Sequence, residues 1–280
     1  MCTNLLDPKM DFIFKSIFGN EKEKSVLLSF LNAAIKSDSP IVDVEMRNVE
    51  ITKEAIADKN SRLDVKAVAN DGTIINVEIQ LRNEYNMAKR TLYYWSKLYS
   101  EQLKEGENYL NLNRTICINI LNFIQFEEIK SYHSVFKVIE EKENVVLNKD
   151  LEIHFLELPK LKEFSIEDPL SGWGMFLKEP SSDIVEEAEE TVKEIKLAKK
   201  KLYLISSDED ERERYRMREK GKLDEISALA TAKLKGKEEG REEGEKIAKL
   251  NIAKTSLENG ISLKVVSQIT GLSLKELEKL

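Results

Sequence analysis

Two acids and an amide stand where a β-hairpin would bring them together: Asp64, Glu78 and Gln80, within the segment RLDVKAVANDGTIINVEIQL. Apolar and polar residues alternate on both sides of Asn70-Asp71-Gly72. A three-residue loop with glycine in the left-handed position is a common hairpin connection. Folded this way, Leu63 faces Ile79, Val65 faces Val77 and Ala67 faces Ile75, which makes one side wholly apolar. The other side pairs Arg62 with Gln80, Asp64 with Glu78 and Lys66 with Asn76. A slip of one residue would mix the two sides, so the hydrophobic pattern selects this register.

Directly opposed residues of an antiparallel pair have Cβ atoms only ~5 Å apart. Asp64 and Glu78 would then be two like charges face to face. Two readings are open on spacing alone. Either the pair lies on an exposed polar side, with Lys66 and Arg62 neutralising it, or a hard divalent cation such as Mg²⁺ sits between the carboxylates at ~2.1 Å from their oxygens. Gln80, two residues on and on the same side, could orient water or bind phosphate.

The hairpin needs elements to hold it. Residues 7–35 read as helix, broken near Gly19, with Phe12, Ile13, Ile17 and Phe18 and then Val26, Leu27, Phe30, Leu31 and Ala34 at helical spacing. IVDVEMRNVEIT alternates as a strand, and residues 86–103 read as a long aromatic-rich helix. RTICINILNF is a continuous apolar run, as expected of a strand covered on both faces. Two strand-like pieces follow, SVFKVIE and LEIHFLEL. The order is α-β-β-β-α-β with additional strands.

Asp64, thirteen residues, then Glu78-Ile79-Gln80 on a hairpin resembles the PD-(D/E)XK nuclease superfamily. More narrowly, DFIFKSIFG, SRLDVKA, NVEIQL and the helix carrying RTLYYW resemble the Rpn-type recombination-promoting nuclease (transposase) family over residues 7–160. The resemblance implies a restriction-endonuclease-like α/β fold: an αβββαβ core, with a mixed sheet flanked by helices. It implies that Asp64 and Glu78 are metal ligands, with Asp11 on the first helix a further acid; an N-cap role for Asp11 is the alternative. It gives Gln80 the place usually held by lysine. Glutamine is neither a cation nor a general base, and Lys66 shares its side of the hairpin and could supply the positive charge. The implied activity is Mg²⁺- (or Mn²⁺-) dependent hydrolysis of DNA phosphodiesters, linked to recombination or mobile elements.

Arg82, Lys89, Arg90 and Lys97 meet the single acid Glu84 between residues 82 and 97, with Tyr85, Tyr93, Tyr94, Trp95 and Tyr99 interleaved or adjacent. Lys89, Arg90 and Tyr94 are therefore the expected nucleic-acid contacts, with the aromatics otherwise read as core.

Composition excludes other classes. The 280 residues are 41% hydrophobic and 34% charged, which suits a folded chain with a sizeable core. No apolar run approaches the ~20 residues of a membrane span. MCTNLLDPKMDF lacks the basic and apolar regions of a secretory signal. Cys2 and Cys117 are the cysteines and His133 and His154 the histidines, too few for a disulfide framework or a zinc cage; a cytoplasmic protein is expected. A net charge of −7 argues mildly against nucleic acid, which keeps a weakly active DNA-binding or regulatory protein in play as an alternative. RNA processing on the same scaffold is another.

Three regions are expected: a nuclease-like domain over 1–165, a charged helical region over 166–235, and a helical tail over 236–280. Gly236, Gly240 and Gly244 recur on one helical stripe. The terminal ISLKVVSQITGLSLKELEKL has the length and turn of a helix-turn-helix, with Ser273 and Glu276 as a capping box. SLKELEKL offers no Arg, Asn or Gln for base edges, so a protein-contact or homo-oligomerisation element is the favoured reading.

Overall fold

The computed structural model describes residues 5–47 and 65–280. Two compact units divide the chain, residues 1–213 and 214–280.

The first unit is built on a six-stranded mixed sheet in the order β1-β2-β3-β4-β6-β5. The strands are β1 (Val44–Met46), β2 (Val65–Ala69), β3 (Ile74–Gln80), β4 (Thr115–Leu121), β5 (His133–Lys137) and β6 (Leu151–Glu157). β1, β2 and β3 run antiparallel in succession, β4 is parallel to both β3 and β6, and β5 returns antiparallel along β6. The β2–β3 hairpin has the register that the hydrophobic pattern selects: Val65 pairs with Val77, Lys66 with Asn76 and Ala67 with Ile75. Its loop is closed by Gly72 N–H donating to the Ala69 carbonyl at 2.9 Å, and Gly72 has a φ of 87°. A side chain there would be strained and would meet the Asn113 amide at 2.7 Å. Of the expected strand over 41–52, the described residues form Val44–Met46; residues 48–64 lie outside the described part, and with them Arg62, Leu63 and Asp64.

Helices α1 (Asp11–Phe18) and α2 (Ser25–Ile35) come first, separated near Gly19 as the sequence suggests. α3 (Met87–Ser100) joins β3 to β4. It turns Met87, Thr91, Tyr94 and Leu98 inward, a helical stripe that packs on one face of the sheet with Cys117, Leu121, Ile153 and Phe155. Its end is pinned to the start of β4, because Trp95 Nε1 donates to the Thr115 carbonyl at 2.8 Å and Trp95 stacks on Tyr99. The other face carries Ile75, Val77, Ile116, Ile118 and Ile120, all buried.

Residues 169–207, part of the stretch set apart in the sequence by its charge, are drawn into the first unit. α4 (Pro169–Lys178) is buried from Leu170 to Leu177, and Trp173 packs among Phe18, Phe30 and Phe176. α5 (Asp183–Thr191) and α6 (Lys193–Ser207) each bury an apolar stripe, and Ser206 Oγ accepts from the Leu6 N–H at 3.0 Å.

A long helix, α7 (Glu209–Glu258), is followed by α8 (Leu263–Thr270) and α9 (Leu274–Leu277). Ala253, Val266, Leu272 and Leu277, with Leu250 and Leu257, form the core of the second unit. Gly271 ends α8 with a φ of 72°, and Ser273 and Glu276 make the expected capping box. The α7 glycines 236, 240 and 244 face open space, so no close packing explains them. Among the described residues no helix is long and apolar enough to cross a membrane.

Candidate active site on the covered face of the sheet

Alternation along β3 sends Asn76, Glu78 and Gln80 to the same face. In the parallel register Asn76 neighbours Cys117, Glu78 neighbours Asn119 and Gln80 neighbours Leu121, the face on which α3 lies. Glu78 is therefore not on an exposed polar side: it is only 2% exposed, as is Asn76. Burying a carboxylate is costly unless charge and hydrogen bonds compensate. The Asn76 amide donates to Glu78 Oε1 at 3.5 Å, and the Arg90 guanidinium lies 3.8 Å from Oε2. Arg90 also lies 3.9 Å from Glu84 and 5.4 Å above the Tyr94 ring.

Around this acid the neighbours are polar in a way the apolar run of β4 conceals. Asn119 Nδ2 donates to Thr91 Oγ1 and to the His154 carbonyl, each at 3.0 Å, which ties β4 to α3 and β6. Burial, and then the charge of Glu78, push the Cys117 thiol up to about 12. Cys117 is thus an inert neighbour of the carboxylate.

The sequence-derived residues fall as follows. Glu78 and Gln80 share a strand and a face, with Gln80 half-buried at the strand end. Lys66 is half-buried opposite Asn76; burial lowers its ammonium from the ordinary lysine range, opposed by Glu101 and reinforced by Arg47. Arg90 and Tyr94 meet each other and the Glu78 side, and Tyr94 is buried, whereas Lys89 is exposed. Asp11 opens α1 as its first helical residue; the N-cap is Met10, so the capping role does not apply. Asp64 lies outside the described residues, and among those described no group of three or more His, Cys, Asp or Glu could hold a metal. The donors that remain, a buried carboxylate with side-chain amides on the same face, are hard oxygen ligands of the kind magnesium takes.

Sequence reasoning missed Asn119 and Thr91. An asparagine inside TICINIL was the available signal, since an amide in a strand buried on both faces must have built partners. The histidines are satisfied and lie in one hydrogen-bonded chain: His133 Nε2 to His154 Nδ1 at 2.9 Å, His154 Nε2 to Glu152 at 2.8 Å, and Arg114 to Glu152 at 2.6 Å. Burial disfavours the Glu152 carboxylate, but His154 and Arg114 outweigh it and hold it at about 2.

The comparisons agree with this architecture. The model of the PD-(D/E)XK nuclease family transposase matches residues 8–232. The model of the Rpn/YhgA-like nuclease family C-terminal HTH domain matches residues 246–280. The second match identifies the tail as the helix-turn-helix that its length and turn suggest, packed around Val266 and Leu272. No curated protein and no solved structure matches the chain. With a nuclease-type sheet and a family model spanning most of its length, this chain belongs to the PD-(D/E)XK nuclease family transposases.

Proposed function

We propose that the protein is a metal-dependent endonuclease that hydrolyses DNA phosphodiester bonds, with recombination or a mobile element as its setting and the cytoplasm as its place. The observation that carries the reading is Glu78, a carboxylate 2% exposed beneath α3 and bordered by Asn76, Asn119 and Arg90. A buried charge adds little to stability compared with an apolar side chain of similar volume. Its retention there fits a ligand role. The apolar and polar alternation of the hairpin sequence expects Asp64 opposite Glu78.

Asp64 and Glu78 would hold Mg²⁺ or Mn²⁺, with Asp11 the further acid at the start of α1. A cation bound there neutralises charge on the scissile phosphate and lowers the pKa of the attacking water. Gln80 orients that water or a phosphate oxygen by its amide. Lys66, half-buried on the same face, supplies positive charge where lysine is more usual two residues after the glutamate. Arg90 positions Glu78, and with Tyr94 behind it keeps the carboxylate's orientation fixed. The helix-turn-helix at 246–280 adds a second DNA contact.

Nicking of supercoiled plasmid across a Mg²⁺ and Mn²⁺ titration, beside gel-shift binding in EDTA, tests this reading. Metal-dependent nicking supports it. Binding in EDTA with no nicking at any metal concentration would leave only a DNA-binding protein, and cleavage confined to RNA would reassign the substrate.

A further inference from the structure

The outward side of α3 carries rings and ammonium groups that the fold leaves largely in solvent, Tyr93 touching only the edge of the cluster at Tyr94, with ring centroids 5.7 Å apart. Lys89, Tyr93 and Lys97 recur every fourth residue, all exposed and outside the stripe that packs on the sheet, running from its far side at Lys89 to its flank at Lys97. Tyr93 is 53% exposed. Tyr85 stands just before the N-cap Asn86, 92% exposed and with a φ of 58°. The left-handed region is costly for a bulky side chain, and such strain gathers at functional sites. A ring this exposed gains almost no packing to offset it. The backbone that presents the ring is set by a turn, in which Asn83 Oδ1 accepts from the Tyr85 N–H at 2.8 Å.

We propose that this side of α3 is a track for a single strand of DNA flanking the cut, with bases stacked on Tyr85 and Tyr93 and phosphates meeting Lys89 and Lys97. The proposal rests on the nuclease reading for the identity of the strand and adds its form: unpaired beside the site. Helix geometry spaces successive members of the series by about 6 Å, close to two stacked nucleotides. Aromatic faces alternating with cations are what an unpaired strand needs, since every base has a π-face and only an unpaired one can offer it. The acids nearby do not block the track. Glu84 is turned to Arg90, and Lys97 pairs with Glu101 at 3.9 Å in a half-exposed ion pair that a phosphate can replace. The track begins one residue from Arg90, which touches Glu78, so a strand lying on it leads toward the buried carboxylate.

The test is fluorescence anisotropy of the full-length protein in EDTA with an oligothymidylate of about 15 nucleotides, beside a duplex of equal length. Tyr85→Gly and Tyr93→Ala should each weaken single-strand binding about tenfold and leave duplex binding nearly unchanged. Tyr85→Phe should bind as wild type. Lys89→Ala should lower the salt slope by about one. Tyr85→Gly should also melt higher than wild type, because glycine accepts the left-handed backbone, so its lost binding cannot be lost folding. Wild-type affinity in the tyrosine variants, equal loss on single strand and duplex, or failure of the wild type to bind the oligothymidylate would each overturn the track. Glu78→Gln should bind the oligothymidylate normally. Should it also cleave normally, the nuclease site fails while the track stands.

Discussion

Replacing Glu78 by glutamine keeps the shape of the side chain and removes only its charge, so it separates what the carboxylate does for the fold from what it does for chemistry. At 3.8 Å, the attraction between Glu78 and Arg90 is worth about 4 kcal/mol at an effective dielectric of ~20. Desolvation of a buried ion costs several kcal/mol in the other direction. Arg90 is not stranded by the change, because Glu84 and the Tyr94 ring stay beside it. The two terms nearly cancel, and Glu78→Gln should melt within a few degrees of wild type. Its metal response should differ sharply. At a Mn²⁺ concentration about 100 times the dissociation constant, binding stabilises the wild type by ~2.7 kcal/mol. For a unit of this size that is a rise of roughly 5–10 °C in melting temperature. The variant should show no such rise. Cleavage should fall about a thousandfold, which corresponds to loss of ~4 kcal/mol of transition-state stabilisation. Differential scanning fluorimetry with plasmid nicking on the same preparations reads both effects. An equal Mn²⁺ shift in the two proteins, or nicking by the variant at a rate near that of wild type, would refute the ligand role.

Gln80→Ala should slow nicking while keeping the Mn²⁺-induced melting shift; loss of that shift would make Gln80 a ligand and overturn its orienting role. Acid should destabilise the protein in two steps. Burial, then the neighbouring His154 and Lys36, hold His133 at about 4 against an ordinary 6.5, so the unfolded chain binds the extra proton between those values and stability falls as pH drops through that window. Glu152, held at about 2 against 4.5, contributes fully above pH 4.5 and loses its contribution below it. A melting series from pH 8 to 3 should therefore decline first below ~6.5, and His133→Gln should flatten that first decline only. A chain ending at Glu213 should remain folded, as judged by a cooperative melt, whereas one ending at Ile205 should melt lower because it lacks the Ser206 hydroxyl that accepts from Leu6.

The hairpin was legible because its information is local. Val65, Ala67, Ile75 and Val77 can share a face in only one register, and Gly72 marks the turn. Nothing local says whether the opposite side is wet. That depends on α3, whose Met87 and Leu98 close over β4 and turn an apparently exposed Glu78 into a buried one. Periodicity located α3 but could not divide its aromatics: Tyr94 is inside while Tyr93, its neighbour, faces out. The same limit applies after Pro169, where charge suggested a periphery. One turn of α4 bearing Trp173 is enough to anchor that segment in an aromatic cluster with Phe18 and Phe30, residues far away in sequence. In the tail, the turn and capping box were legible locally, whereas the small core of Ala253, Val266, Leu272 and Leu277 draws on the end of α7, which the charge-rich sequence before it does not announce.

The strand order has a consequence for how the molecule comes apart. β3 lies inside the sheet, hydrogen-bonded along both edges, by β2 on one side and β4 on the other. β5 closes the sheet at its rim, and past it the chain carries exposed Val138, Ile139, Val145 and Val146. Opening events should start at the rims, this one and the three-residue β1 opposite, and cost least there, while amides of β3 exchange only when the whole unit opens. A protease that nicks the 138–147 segment would then leave the Glu78 carboxylate in register, whereas any event that moves Glu78 has already cost the unit its fold. The loss of its chemistry on heating should therefore coincide with the loss of its last protected amides.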